Sequence, residues 1–407
     1  MVNIAIIGFG VVGSGVYEVI RKNFESITRK AGTEINIKSI IDIRDFSDHP
    51  ESGLFKKDFD AVLNDPEIDI VVEVMGGLDP AYSYTKAALE HKKSVVTSNK
   101  ELVATHGDEL LKIAYENNVK YLFEASVGGG IPIIRPLKLC LAANEITEIV
   151  GILNGTTNYI LTQMIKEGKS FEEALLEAQQ KGYAERNPAA DVEGHDACRK
   201  ICILSSLVFG KHIDYKEVST EGITNLTLTD VEYADKMGYA IKLLGYSKLV
   251  DGKVDVRVAP MLVEKSHPLA TVDDVFNGIL VKGDAIGDAM FYGRGAGKLP
   301  TASAVVADII DIAKNPGSEN AVMWSRSAHS ILLDPDESIA AFFVRVETAD
   351  KPGTTANIKS VFGDVTILDM QDGELGFITA PVREGDIKAI LTNLDNKVVS
   401  TLRILDE

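Results

Sequence analysis

The chain has 407 residues, 45% of them hydrophobic and 25% charged, a composition typical of a globular protein with two or three domains. Acidic residues outnumber basic ones by 60 to 42, and the formal charge of −18 disfavours nucleic acid and anionic membranes as partners, leaving a small-molecule substrate. Because the chain lacks a membrane-spanning apolar run and has only three cysteines, we expect a cytoplasmic enzyme without a disulfide framework.

The first 130 residues alternate between short apolar segments and amphipathic segments. The pattern predicts strands over Val2–Ile7, Ile35–Ile43, Asp69–Met75, Ser94–Thr97 and Tyr121–Val127, and helices over Val11–Asn23, Pro80–His91 and Glu101–Asn117. Strands that alternate with helices are typical of parallel pairing through right-handed crossovers. The predicted fold class is therefore α/β, with a Rossmann-type doubly wound parallel sheet in a dinucleotide-binding domain over residues 1–130.

The regular alternation of strand and helix patterns ends near Ile131. The sequence that follows predicts an α+β catalytic and dimerisation domain over residues 131–299. Its predicted strands are Ala142–Leu153 and Lys253–Pro260, and its predicted helices are Asn158–Glu167, Ser170–Lys181 and Asp196–Phe209. Ser170 and Glu173 have the spacing of a capping box, which marks the start of the second of these helices.

The C-terminal part of the chain contains a further small module. A helix is predicted over Thr301–Ala313, and we expect residues 300–325 to pack back on the first domain, while residues 317–338 could carry a linker. Residues 340–407 show the order strand, helix, strand, strand, helix, strand, which suggests a ferredoxin-like domain.

A glycine-rich motif follows the first predicted strand and opens the first predicted helix. The segment Gly8-Phe9-Gly10-Val11-Val12-Gly13 fits the pattern G-x-G-x-x-G in the structural context that a dinucleotide site requires. Gly8 would permit a tight turn, Gly10 the close approach of a pyrophosphate, and Gly13 close packing of helix on sheet. The N–H groups at the helix start would face the phosphates, so the motif predicts NAD or NADP as cofactor.

Further candidates lie where other strands and loops end. Asp42 follows the second strand, where an acid binds the ribose of NAD, whereas Arg44 could hold the 2′-phosphate of NADP; the choice stays open, with a preference for NAD. Ser98 and Lys100 follow the fourth strand at the ligand-binding edge, although Lys100 could equally be an exposed lysine at a helix start. The loop Gly293–Gly297 suggests close approach to a ligand or to the first glycine loop, an ordinary flexible loop being the alternative.

The densest polar cluster lies between Gly182 and Lys200. Asp196 and Lys200 share a helix face, a spacing that usually marks a weak surface ion pair. A carbonyl reductase, however, needs a proton donor beside the developing alkoxide, and a partly desolvated lysine can serve. Together with Glu185 and Asp191, Asp196 favours a substrate that carries an ammonium group over a neutral sugar.

The same residues admit three other interpretations. His195, Cys198 and Cys202 have a spacing that could gather zinc ligands, but a fourth ligand is missing and buried free cysteines are frequent. A sugar or amino-acid dehydrogenase could use the same nucleotide half. A ligand-sensing regulator is a third interpretation, against which the charge of −18 and the lack of a DNA-reading motif count.

The motifs taken together resemble homoserine dehydrogenase over almost the full length of the chain. The matching segments are Gly8–Gly13, Thr97–Lys100, Glu124–Pro132, Gly151–Ile160, Gly182–Pro188, Asp191–Lys200 and Gly293–Ala304. Since Gly8 lies so near Met1, the resemblance is to the monofunctional form, without a preceding aspartokinase region. It implies NAD(P)-dependent interconversion of L-aspartate 4-semialdehyde and L-homoserine, in threonine and methionine biosynthesis.

The resemblance also implies roles for particular residues. Lys200 would donate the proton to the aldehyde oxygen, Asp196 would orient substrate and lysine, and Lys100 would lie near substrate and cofactor. Substrate binding would fall to Glu185, Asp191 and Thr156. The implied cofactor-binding residues are Gly8, Phe9, Gly10, Val11, Val12, Gly13, Asp42, Ser98, Lys100, Gly295 and Gly297.

Two regions of the resemblance concern an ion and regulation. The family's monovalent-cation loop matches Glu124–Ile131, so the carbonyls of Glu124, Val127, Gly129 and Ile131 would hold a structural sodium ion, for which oxygen ligands are suitable. Residues 340–407 resemble an ACT regulatory domain, with the turn Asp350–Gly353 after its first strand but a shortened middle and no clear effector motif. We expect a homodimer or homotetramer.

Overall fold

A computed structural model describes residues 1–317, 323–326 and 330–406. Its strands are β1 (Val2–Ile7), β2 (Ile35–Ile41), β3 (Phe55–Lys56), β4 (Ile70–Glu73), β5 (Ser94–Thr97), β6 (Tyr121–Leu122), β7 (Ile146–Ile152), β8 (Ser219–Thr220), β9 (Tyr239–Val250), β10 (Lys253–Glu264), β11 (Phe276–Gly283), β12 (Gly287–Arg294), β13 (Ile339–Glu347), β14 (Thr366–Leu368), β15 (Glu374–Ile378), β16 (Val382–Arg383) and β17 (Val398–Ile404). Its α-helices are α1 (Val11–Lys22), α2 (Phe24–Ala31), α3 (Asp60–Leu63), α4 (Ala81–Glu90), α5 (Lys100–Glu116), α6 (Gly155–Glu167), α7 (Phe171–Gln180), α8 (Ala189–Val192), α9 (His195–Phe209), α10 (Leu228–Lys236), α11 (Lys298–Lys314), α12 (Lys351–Phe362) and α13 (Glu384–Thr392). Within the described ranges, no helix is both long and apolar enough to cross a membrane.

The chain divides into two compact units. The first comprises Met1–Ile146, Arg199–Glu217 and Lys282–Ser330, and the second comprises Thr147–Cys198, Val218–Val281 and Ile331–Glu407. The domain limits predicted at residues 130, 299 and 340 stay predictions. They follow changes in the sequence pattern, whereas the two units are defined by contacts between residues.

The first unit contains a parallel sheet with the strand order β3-β2-β1-β4-β5-β6. Its central strands are apolar and buried on both faces, because helices cover both sides of such a sheet. The predicted doubly wound Rossmann-type sheet is thus confirmed. The carboxyl ends of β1, β4 and β5 lie at one edge, where ligands bind in this architecture.

Helix α11 belongs to the core of this first unit. An added Cβ at Gly15 of α1 would lie 2.7 Å from the Lys298 carbonyl oxygen and 3.0 Å from Ala302 Cβ, so small residues allow α1 and α11 to touch. Val305 and Ile309 of α11 pack into the same hydrophobic cluster as the sheet. The predicted packing of residues 300–325 falls partly outside the described residues, as does the predicted linker over 317–338.

The predicted strand over Tyr121–Val127 is wrong after Leu122, where the chain turns into a 3-10 helix over Glu124–Ser126. The cause is Glu124, whose carboxylate accepts hydrogen bonds from the backbone N–H groups of Ile133, Ile134 and Arg135 at 2.6–2.9 Å. Its own N–H donates to Asp308, which also pairs with Arg135 and whose pKa burial raises to about 8. These bonds replace the pairing that a longer strand would make.

The second unit is built on a mixed sheet that includes the strand order β11-β7-β9-β10-β17-β13-β15-β14. Strands β9 and β10 form a long antiparallel hairpin, and its turn residues Asp251 and Gly252 both have positive φ, as a type I′ turn requires. Strand β17 pairs in parallel with β10 through Met261 and Arg403. The C-terminal strand therefore continues the sheet that begins in the middle of the chain.

The C-terminal module follows the predicted order of strand, helix, strand, strand, helix, strand, with the two-residue strand β16 added beside β13. Its strands β17, β13, β15 and β14 are antiparallel neighbours in that order. Phe342, Val344 and Phe377 form its core with residues from both helices.

A buried ionic network joins this module to β10. Arg257 donates to Glu384 at 2.7 Å, and Arg403 donates to Glu384 at 2.5 Å and to Glu221 at 2.7 Å. Burial opposes the charge of Glu384, but hydrogen bonding by Arg403 and the fields of both arginines outweigh it and lower its pKa to about 2. The carboxylate therefore stabilises the folded chain only while it is ionised.

We expect Glu384→Gln to lower the free energy of unfolding at pH 7 by about 3 kcal/mol, because two buried arginines each lose one of their carboxylate partners. The pKa of Glu384 is depressed in the folded state, so its stabilisation is complete above the unfolded value near 4.5 and is lost as pH falls towards 2. The difference in melting temperature between wild type and variant should therefore shrink below about pH 5. A difference that stays constant down to pH 3 would contradict this account.

Candidate active site

The predicted phosphate-binding loop has the geometry that its glycines require. Gly8 has φ +93°, a conformation that favours glycine, and an added Cβ at Gly13 would lie 2.0 Å from the Gly8 carbonyl oxygen. At Gly10, by contrast, an added Cβ would meet no atom within 4 Å, so the space above this residue is open to a ligand. Val11 is exposed beside that space and Val12 is half-buried.

The side chain of Phe9 belongs to an aromatic cluster. The ring packs edge-on against Tyr17, Phe46, His49 and Phe55, with ring centroids 5.0–5.8 Å apart. Its N–H donates to Asp42 Oδ2 at 2.7 Å. This bond holds the acidic residue that follows β2 against the glycine loop.

Asp42 also forms a two-pronged ion pair with Arg44. The backbone N–H, Nε and Nη2 of Arg44 all donate to this carboxylate at 2.7–2.9 Å. Hydrogen bonding by Arg44 outweighs the effect of burial and lowers the pKa of Asp42 far below its usual range. The Asp42 side chain is only 6% exposed whereas that of Arg44 is 57% exposed, so the arginine covers the acid.

A hydrogen-bonded cluster lies where β4 and β5 end. Thr97 Oγ1 donates to Glu73 Oε2 at 2.7 Å and accepts the N–H of Asn99 at 2.9 Å. Asn99 caps α5 by accepting the N–H of Leu102, and its amide donates to the Gly77 carbonyl oxygen. The cluster fixes the turn that carries Ser98 and Lys100, both half-buried.

Sequence reasoning missed Glu73 as a member of this site. Its side chain is fully buried, and this burial raises its pKa. The sequence did contain a signal, because Glu73 is an acidic residue at the end of an apolar strand. Burying such a charge costs free energy unless the carboxylate has hydrogen-bond or ionic partners.

Helix α9 carries Lys200, which is 8% exposed. The residue before it, Arg199, donates to Glu101 at 3.2 Å, and Glu101 follows Lys100 at the start of α5. This ion pair brings the segments that carry the two predicted lysines together within the first unit.

In the second unit, Asn154 gathers the predicted acids. Its amide nitrogen donates to Asp191 Oδ1 at 2.7 Å and to Asp196 Oδ2 at 2.9 Å, and Asp196 is 3% exposed. Thr156 donates to the Tyr183 carbonyl oxygen at 2.7 Å, so its hydroxyl is engaged beside the start of α6. Glu185 is exposed on the loop after α7. Asn154 was not predicted from the sequence as a site residue.

The second glycine-rich loop contacts the predicted cation loop. An added Cβ at Gly129, whose φ is +57°, would lie 2.2 Å from the Gly295 carbonyl oxygen, and Gly130 N–H donates to the Arg294 carbonyl at 3.2 Å. Gly295 is buried, and Gly297, with φ +125°, precedes α11. The contacts favour the prediction that the glycines of this loop allow close approach, here between the backbone at Gly129 and the backbone at Gly295.

The residues considered for zinc do not come together. Cys198 and Cys202 are buried and form no disulfide bond, while His195 is exposed and lies 3.2 Å from Glu193. Over the described part of the chain, no group of three or more His, Cys, Asp or Glu side chains is placed to hold a metal ion.

Family models and curated relatives that match this chain carry the same name, homoserine dehydrogenase. The family model "Homoserine dehydrogenase, NAD binding domain" matches residues 8–124, and the model "Homoserine dehydrogenase" matches residues 132–310. A homoserine dehydrogenase of Synechocystis sp. is 41% identical over 99% of each chain, and that of Bacillus subtilis is 38% identical over 99% of this chain and 98% of its own.

Solved structures agree. A homoserine dehydrogenase from Thiobacillus denitrificans superposes with a TM-score of 0.92 at 38% identity, covering 100% of this chain and 98% of the other. A hyperthermophilic archaeal homoserine dehydrogenase in complex with NADPH gives a TM-score of 0.66 at 31% identity, covering 78% of this chain and 99% of the other. The resemblance inferred from the motifs is confirmed: the chain belongs to the homoserine dehydrogenase family.

Proposed function

We propose that Lys200 donates the proton when this enzyme, as a homoserine dehydrogenase, reduces L-aspartate 4-semialdehyde to L-homoserine. The observation that carries this role is the burial of Lys200 on α9, tied through Arg199 and Glu101 to the Lys100 segment. A buried ammonium stabilises an oxygen that gains negative charge and can release its proton to it, since burial favours the neutral amine. In the oxidative direction the same amine accepts the proton of the homoserine hydroxyl.

The nicotinamide cofactor, when bound, supplies or accepts the hydride. We assign its phosphates to Gly8–Gly13, whose open space at Gly10 and tight packing at Gly13 suit a pyrophosphate at a helix start. Asp42, Ser98, Gly295 and Gly297 complete the proposed cofactor contacts. Lys100 would stand between cofactor and substrate.

Glu185, Asp191 and Asp196 are proposed to serve the amino-acid end of the substrate. Carboxylates bind an ammonium group with charge-assisted hydrogen bonds, which explains why an acidic set suits homoserine better than a polyol. Asp196 would in addition orient Lys200, four residues further along α9, and Thr156 would bind the substrate at the start of α6.

Replacing Lys200 by alanine tests the central role. Turnover with L-homoserine and L-aspartate 4-semialdehyde is measured together with cofactor affinity on the same preparation, so that loss of chemistry is separated from loss of the nucleotide site.

For the cofactor we infer a preference for NAD, because the carboxylate of Asp42 is held by Phe9 N–H where the adenosine ribose would hydrogen-bond. The Arg44 side chain is more than half exposed, so its guanidinium is accessible to the 2′-phosphate of NADP. The two side chains thus favour different cofactors.

We expect Asp42→Asn to shift the ratio of kcat/KM for NAD over NADP towards NADP by about tenfold or more, and Arg44→Ala to shift it towards NAD. The physical reason is that Asp42→Asn removes a negative charge that repels the 2′-phosphate of NADP. Arg44→Ala removes the positive charge that would bind this phosphate. Steady-state kinetics with both cofactors measures the ratios. Equal ratios in all three proteins would contradict the assignment, and Arg29→Ala, on the neighbouring α2, is the control.

The remaining finer assignments are proposals as well. A sodium ion would be held by carbonyl oxygens of Glu124, Val127, Gly129 and Ile131, a loop that Glu124 itself folds through its three backbone contacts. Residues 340–407 are proposed as an ACT-like regulatory domain for which threonine is one candidate effector. A homodimer or homotetramer, a cytoplasmic location and the domain limits remain predictions.

A further inference from the structure

One buried amide stands between the two carboxylates that the proposed function assigns to the substrate. Asn154 is 5% exposed, and its Nδ2 donates to Asp191 and Asp196, which lie 37 and 42 residues further along the chain. All three residues belong to the second unit.

The orientation of this amide is determined by its partners. Asn154 Oδ1 accepts the backbone N–H of Thr157 at 2.9 Å and so caps α6, a bond that only the oxygen can make. The amino group must then face the carboxylates, because an ionised carboxylate accepts hydrogen bonds and has none to donate. Cap and bridge are therefore made by opposite ends of one side chain.

A bridge of this kind has an electrostatic consequence. Two carboxylates whose oxygens both contact one nitrogen repel each other, and a donor that both share offsets part of this repulsion. An amide supplies two N–H groups without adding charge, so one side chain can bond both acids and fix their positions. No other common neutral side chain of this size offers two donors and an acceptor.

We propose that Asn154 is a positioning residue that holds Asp191 and Asp196 in the arrangement that binds the ammonium group of homoserine. This inference rests on the proposed substrate roles of the two acids. Asn154 itself acts through them rather than on the reacting atoms.

The test separates bridging from capping. Serine, aspartate and asparagine are about equally good helix caps, so Asn154→Ser and Asn154→Asp both retain the cap on α6. The serine hydroxyl keeps one hydrogen-bond donor for the two carboxylates of Asp191 and Asp196. An aspartate at this position has no donor and faces both carboxylates with a third. A bridging role therefore ranks the proteins Asn, Ser, Asp in kcat/KM for homoserine, while a capping role alone would leave them equal.

We expect kcat/KM for L-homoserine to fall by about tenfold in Asn154→Ser and by about 100-fold in Asn154→Asp, mainly through KM, because misplaced substrate contacts have effects of this size. KM for the cofactor should not change. The matched control is Asn158→Asp on the same helix: Asn158 is 1% exposed and donates to the carbonyls of Val272, Asp274 and Phe276 at 3.1 Å. It should lower the melting temperature while leaving KM for homoserine unchanged.

The outcomes are distinguishable. If Asn154→Asp retains the wild-type kcat/KM, or if the losses merely follow melting temperature across all variants including Asn158→Asp, the positioning role is overturned. Full turnover in Lys200→Ala would contradict the proton donor instead, and would not alter the ranking expected at position 154.

Discussion

Lys200→Ala is expected to lower turnover by about 10²–10⁴-fold in both directions, the usual range for loss of a general acid. Alanine removes the ammonium that stabilises the developing alkoxide and delivers its proton, but it leaves the glycine loop Gly8–Gly13 unaltered. Cofactor affinity, measured by fluorescence titration with NADH and NADPH, should therefore stay close to the wild-type value.

Two further measurements strengthen this test. Lys216→Ala removes an exposed lysine of the same unit and should have wild-type turnover. A small primary amine such as ethylamine should restore part of the activity of Lys200→Ala, because it can enter the vacated space and donate a proton. Unchanged turnover in the alanine variant would end the assignment of Lys200 as proton donor.

Gly13→Ala is expected to abolish cofactor binding and to destabilise the protein by about 1–3 kcal/mol or more, as overpacking of a closed contact does. The added methyl would lie 2.0 Å from the Gly8 carbonyl oxygen, so α1 must move away from the loop. Thermal unfolding and cofactor titration measure the two effects.

Gly10→Ala is the matched variant in the same loop. Its methyl would meet nothing within 4 Å, so we expect stability to change by no more than about 0.5 kcal/mol. The dissociation constant of the cofactor should nevertheless rise by about tenfold or more, because the methyl occupies the space that a pyrophosphate needs. Normal cofactor binding in both variants would contradict the assignment of this loop.

The local patterns of the sequence were sufficient for much of the fold. Alternation of apolar strands with amphipathic helices predicted the parallel sheet of the first unit, and the capping box of Ser170 and Glu173 is present at the start of α7. Helix α6, predicted from Asn158, begins at Gly155 because Asn154 caps it. Strand β7, predicted from Ala142, begins only at Ile146.

The candidate site was predicted in part. The glycine loop, Asp42, Lys100 and the acids near Lys200 were named because charged residues and glycines next to buried segments are conspicuous in a sequence. Glu73 and Asn154 were missed as site residues, since an acid that ends an apolar strand and an amide within a helix-start motif show their partners only in three dimensions.

What the sequence determined by itself is therefore what depends on neighbours a few residues away: strand and helix periods, caps and the turn at Gly8–Gly13. Tertiary structure decided the rest. Glu124 ends a strand because N–H groups nine to eleven residues further along bind its carboxylate, and Asn154 joins two acids about 40 residues away. A buried polar group must find a partner wherever the fold provides one, and no local pattern specifies which partner that will be.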